Sequence, residues 1–157
     1  MQNTKNKGMN MLEVIIVISI ITIITAVTIP SLSSFKKQQA LKNTTEDIVS
    51  LLNEARNSTI SSKNSTTYGI HFEEDKATLF PGAIFIDSTL NKQINFDQAV
   101  IISLDDGINL HEGGDDLVFE RITGNTTDYG TIIVQLVSDA SKLKTITISS
   151  IGIISVN

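Results

Sequence analysis

The chain has 157 residues, a formal net charge of −5 at pH 7 and no cysteine. That length allows one small core, the missing cysteines exclude a disulfide framework, and the acidic balance argues against a polyanionic partner such as nucleic acid.

The first element begins behind Lys5 and Lys7. From 9 to 29 the sequence runs for twenty-one residues with a single charge, Glu13. As a helix rising ~1.5 Å per residue this stretch reaches about 31 Å, roughly the hydrocarbon thickness of a bilayer. It therefore predicts one transmembrane span. Both lysines precede it and no acid comes before Glu13, so the positive-inside bias puts Met1 in the cytoplasm and Ser31 onward in the periplasm of a bacterium. A secretory signal peptide is the competing reading. Glu13 speaks against it, as does Thr28-Ile29-Pro30-Ser31, which lacks a small-x-small cleavage pattern; the convincing cut lies upstream, after Gly8. A carboxylate inside a membrane-length apolar segment costs a few kcal/mol or more unless it is neutralised, so Glu13 demands a partner.

Nearly every residue of this segment is β-branched, a poor composition for a helix in water but an acceptable one in lipid, where backbone bonds must close internally. Ser19, Thr22, Thr25 and Thr28 recur every third residue, and their hydroxyls are placed to bond the preceding turn or a neighbouring helix. Pro30 lacks an N–H and predicts a kink. Beyond it Phe35, Leu41, Ile48, Leu51, Leu52 and Ala55 keep helical spacing, with Lys36, Lys37, Lys42, Glu46, Asp47 and Glu54 opposite. This is an amphipathic continuation that fades where Ser, Thr and Asn accumulate at 57–64.

The period then becomes alternating. Tyr68, Ile70 and Phe72 predict a strand, Glu73-Glu74-Asp75 a turn and 77–80 its hairpin partner, closed by Pro81-Gly82. Further strands are predicted at 84–86, 100–104, 117–120, 131–137, 144–149 and 153–156. The expected fold is α+β, a long N-terminal helix, transmembrane and then amphipathic, on a small, mostly antiparallel β head. Its divisions are 1–8, 9–30, 31–62 and 63–157.

Gly8-Met9-Asn10-Met11-Leu12-Glu13-Val14, the apolar helix and Pro30 together resemble the type IV prepilin and pseudopilin family. Relative to a cut after Gly8, Glu13 is the fifth mature residue and Pro30 the twenty-second, matching that family. Met9 stands where phenylalanine is usual. The resemblance implies a prepilin peptidase that cuts between Gly8 and Met9 and methylates the Met9 amine. It also implies assembly with other pilin or pseudopilin subunits through the helix, with Glu13 meeting the terminal amine of a neighbour. Two opposite charges in low dielectric attract strongly, and either alone is costly.

Within that family the segment Ala55-Arg56-Asn57-Ser58-Thr59-Ile60 and the ending Ile146-Thr147-Ile148-Ser149-Ser150-Ile151-Gly152 are similar to the H-type minor pseudopilin of type II secretion and its FimT-type pilus counterpart. Ser58 replaces a small alanine, and Ile153 replaces a frequent basic residue. The resemblance implies a structural subunit of a secretion pseudopilus, first in the inner membrane and then in the filament. The alternative is a minor pilin of a type IV pilus serving adhesion or DNA uptake. Removing Lys5, Lys7 and Glu13 from the totals leaves ten basic and sixteen acidic residues from Ser31 onward. Only Lys142 and Lys144 cluster late, so DNA binding is not expected.

An acidic stretch holds Asp105, Asp106, Asp115 and Asp116 beside glycines, with His111 and Glu112 between. Calcium is the weak alternative to two solvated turns, since the spacing is not that of an EF-hand. No cofactor is implied. His71 and His111 have no cysteine or Gly-x-Ser-x-Gly serine to work with, so each reads as a surface or structural histidine; a membrane-anchored hydrolase is the rival reading from another class.

Overall fold

The computed structural model describes residues 10–103, 107–111 and 113–157; the side chains of 27–31 and of Lys63 are also outside the described set. The chain forms two compact units, Met1–Lys36 and Lys37–Asn157. Helix α1 is assigned over Met11–Ile60. Pro30, the expected kink, falls within that assignment, and its side chain lies outside the described residues.

Among the described residues no helix is long and apolar enough to cross a membrane. Later turns of the helix turn polar, with Lys36, Lys37, Gln38 and Gln39 in succession around it. This corrects three expectations together: the transmembrane half of the anticipated pilin-like fold, the transmembrane-helix assignment itself, and the single-pass placement in a bacterial inner membrane with a periplasmic head.

In the second unit, the later part of α1 turns Leu41, Ile48, Leu51, Leu52 and Ala55 into the core, all below a tenth exposed. Their spacing of three, four and seven residues aligns them on one face. Thr45 is buried on the same side because its hydroxyl donates to the Leu41 carbonyl at 2.7 Å, which removes the cost of an unpaired group. After Ile60 the chain turns through Ser62, Asn64 and Ser65, all at positive φ. The fully buried Thr59 accepts the Tyr68 N–H at 2.9 Å and ties the helix end to the first strand.

Among the described residues nine strands follow: β1 Tyr68–Phe72, β2 Lys76–Pro81, β3 Lys92–Asn95, β4 Val100–Ile102, β5 Ile108–Leu110, β6 Asp116–Val118, β7 Gly130–Leu136, β8 Asp139–Ile148 and β9 Ile154–Val156. One sheet has the order β3-β2-β1-β6; the other is β4-β7-β8-β9, with β5 also paired to β7. Every pairing is antiparallel. Phe72, Ile70 and Leu117 from the first sheet share one buried cluster with Ile102, Ile132, Ile146 and Ile148 from the second and with the α1 face. Both sheets and the helix are thus required to exclude water from a single core.

The stretch 84–86, expected as a strand, is part of a loop spanning 82–91. Its alternation is genuine, but Ile84 and Ile86 face solvent while Phe85 between them packs on His71 and Phe80.

A polar lock closes the unit. Arg56, near the C-terminal end of α1, donates from Nε to the Gly124 carbonyl at 3.2 Å and from Nη2 to the Ile151 carbonyl at 3.3 Å. Gly152 sits at φ +74°, and a Cβ there would collide with the Gly124 carbonyl oxygen. Glycine is needed here on both counts.

Candidate functional site

The N-terminal turns of α1 are built by ordinary capping. Asn10 presents Oδ1 to the Leu12 N–H at 3.3 Å, and its carbonyl accepts from Glu13 and Val14 at 2.9 and 3.3 Å. Asparagine is favoured there because it satisfies donors that a helix start leaves open. Glu13 then lies in the first turn, where the helix dipole favours a negative charge. Its side chain is exposed, and among the described residues no cation stands within ion-pair distance of it. Gly8 and Met9, the expected cleavage site and partner amine, lie outside the described residues.

Behind Glu13 the large apolar side chains of 11–24 are exposed by between 46% at Val17 and 80% at Met11, with Val14 as the partly covered exception. Polar groups of this segment turn inward. Ser19, Thr22 and Thr25 donate to the carbonyls of Ile15, Ile18 and Ile21 at 2.7, 2.8 and 2.7 Å. This is back-bonding to the preceding turn, the first of the two uses open to these hydroxyls. The result is a helix surface apolar nearly all round, of a size that marks an interaction site in a folded protein. Glu13, Val17, Ile20 and Ile24 follow the spacing of one helix face, placing the carboxylate at the end of an apolar stripe.

In the second unit several ionisable groups gather around His71 on β1. The register opposes His71 to Asp116 on β6 and to Thr78 on β2. Its Nδ1 lies 2.6 Å from Asp116 Oδ1, while Nε2 is 3.8 Å from Glu73 Oε1, beyond hydrogen-bond reach. Glu73 is itself paired with Lys76 at 3.0 Å. Phe85 stacks on the imidazole with centroids 4.1 Å apart and planes 9° apart. Glu73, Lys76, Thr78, Phe85, Asp87 and Gln93 border a cavity of about 250 Å³ beside this stack. Sequence reasoning places His71 on a strand but misses both partners, because they come from 45 and 14 residues away through strand pairing and a loop.

The acidic stretch is divided by the fold. Asp105, Asp106 and Glu112 lie outside the described residues, Asp115 is exposed, and Asp116 is engaged by His71. Among the described residues no group of three His, Cys, Asp or Glu side chains is placed to hold a metal ion. His111 stacks on Tyr129 at 4.4 Å. Arg56 and Gly152, from two segments that carry the pseudopilin resemblance, meet in the polar lock. In comparisons with known proteins, no family model, curated protein or solved structure matches the chain.

Proposed function

We propose that this chain is a structural subunit of a pilin-like filament, by its resemblance a minor pseudopilin of a type II secretion pseudopilus, assembled through residues 11–26 of α1. The observation that carries the reading is the exposed apolar surface of that segment with a single acid, Glu13, at its head. Burying one isoleucine side chain contributes roughly 1.5–3 kcal/mol, so a few such residues against like helices supply a strong association. Glu13 sets register, because in a dry bundle it is tolerable only where an amine meets it. Gly8 and Met9, which flank the expected cut, support the same reading: cleavage by a prepilin peptidase would create that amine at Met9.

The test is assembly of the full chain, processed at Gly8, followed by sedimentation and electron microscopy. Wild type should pellet as filaments alone or with companion subunits. Ile16→Glu/Ile20→Glu, which puts two charges on one helix face, should stay in the supernatant with an unchanged head spectrum. Equal pelleting of both proteins, or a monomeric wild type with and without companion subunits, contradicts the proposal.

A further inference from the structure

Two surfaces of the second unit complement one another and share no residue. The first is the 82–91 loop. Phe85 is clamped between His71 and Phe80, and Asn91 Nδ2 donates to the Ile86 carbonyl at 2.9 Å. With its centre fixed, the loop presents Ile84 and Ile86 outward at 74% and 71% exposure, followed at once by Asp87. Among the described residues no cation pairs with Asp87.

The second is a mostly apolar cavity of about 400 Å³ where α1 faces β8 and β9, bordered by Lys42, Thr45, Glu46, Val49, Lys144 and Val156. Lys42 is held by Glu46 at 3.8 Å. Lys144 has no acid within ion-pair distance among the described residues. An apolar knob followed by a free carboxylate thus has its counterpart in an apolar recess with a free ammonium at its rim.

We propose that the 82–91 loop of one copy docks in this cavity of a second copy, with Ile84 or Ile86 entering the recess and Asp87 meeting Lys144. Because the two surfaces differ, the contact is heterologous and leaves a free knob and a free recess at the ends of every pair, which propagates an open chain. Opposite charges at the rim fix orientation and exclude loop-to-loop pairing, where Asp87 would face its own image. The contact rests on the filament reading for its context, and it supplies that reading with a heterologous contact between neighbouring head units.

The natural absence of cysteine makes disulfide trapping direct. The full chain carrying Ile86→Cys and Val156→Cys, oxidised mildly, should give a ladder of dimers, trimers and higher species. Each single variant should stay monomeric, and an equimolar mixture of the two singles should stop at dimers. Asp87→Lys in the double-cysteine chain should lower trapping at least tenfold, and adding Lys144→Asp should restore it. Trapping of Ile86→Cys alone at the level of the pair, no ladder from the pair, or no rescue by the charge exchange overturns the proposal. The same experiment in the Ile16→Glu/Ile20→Glu background separates the two ideas. A ladder there, with no filaments from wild type, upholds the head contact and refutes assembly through the helix. Filaments from wild type with no ladder do the reverse.

Discussion

Arg56→Met tests whether the head is closed by the contact between the helix end and the two glycine turns. The guanidinium makes two long hydrogen bonds, 3.2 Å to Gly124 O and 3.3 Å to Ile151 O, in a partly buried position. A hydrogen bond to a charged group contributes about 1.5–3 kcal/mol, and the long geometry argues for the lower end. Methionine keeps most of the stem packing, so the expected loss is about 2–3 kcal/mol for the pair together. At roughly 2.1 cal/mol/K per residue, a unit of about 120 residues such as Lys37–Asn157 unfolds with an entropy near 0.25 kcal/mol/K. The midpoint should therefore fall by about 8–12 °C in thermal melts followed by circular dichroism. Arg56→Lys retains the charge but not the forked geometry, and it should lose about half as much. A fall under about 3 °C for Arg56→Met would show that these bonds do not hold the head together, and the reasoning would fail.

Two further outcomes follow from the head. Phe85→Ala removes the stack on His71 and the edge contact with Phe80, aromatic pairs worth about 0.5–1.5 kcal/mol each, so amides of 84–91 should exchange with deuterium about tenfold faster or more while those of β7 stay unchanged. Unchanged loop exchange would mean the clamp is not what orders it. Asp139 accepts from the Ser141 hydroxyl and N–H, bonds that favour its charged form and hold its carboxyl below the ordinary 3.8. The small stabilisation this gives is present above that ordinary value and disappears as pH falls through the lowered one. NMR titration should show a low midpoint in wild type and a rise toward the ordinary value in Ser141→Ala; an identical midpoint in the two would contradict the assignment.

The helix was the most legible element, because Leu41, Ile48, Leu51, Leu52 and Ala55 carry a helical period that burial alone explains. Strand β7 is readable from its period of two and β1 from the spacing of Tyr68, Ile70 and Phe72, whereas β2, whose four central residues are all buried, is legible only as the return of a hairpin. The short strands β3 and β5 were not: Lys92–Asn95 is mostly exposed and polar, and its pairing with β2 comes from the hairpin geometry rather than from hydrophobic alternation. The 84–86 error has the opposite cause. Alternation specifies two faces but not which one meets the core, and here Phe85 alone turns inward. At the N-terminal segment the sequence yields an apolar stretch and its acid, but length and composition alone overstate it as a span, since among the described residues no helix meets that requirement. The proximity of Arg56 to Gly152 and of His71 to Asp116 depends on chain reversals tens of residues apart, which no local pattern encodes.

The central claim is that Glu13 is one half of an intersubunit contact. Glu13→Ala, introduced in cells that build the filament, should leave removal of the leader after Gly8 and the head fold unchanged. Taking one member from a buried ion pair costs about 3–5 kcal/mol, so the assembled fraction, measured by shearing filaments and immunoblotting, should fall by about a hundredfold or more. Incorporation of Glu13→Ala at the wild-type level would show that the acid has no partner in the assembly, and the account would be contradicted at its base.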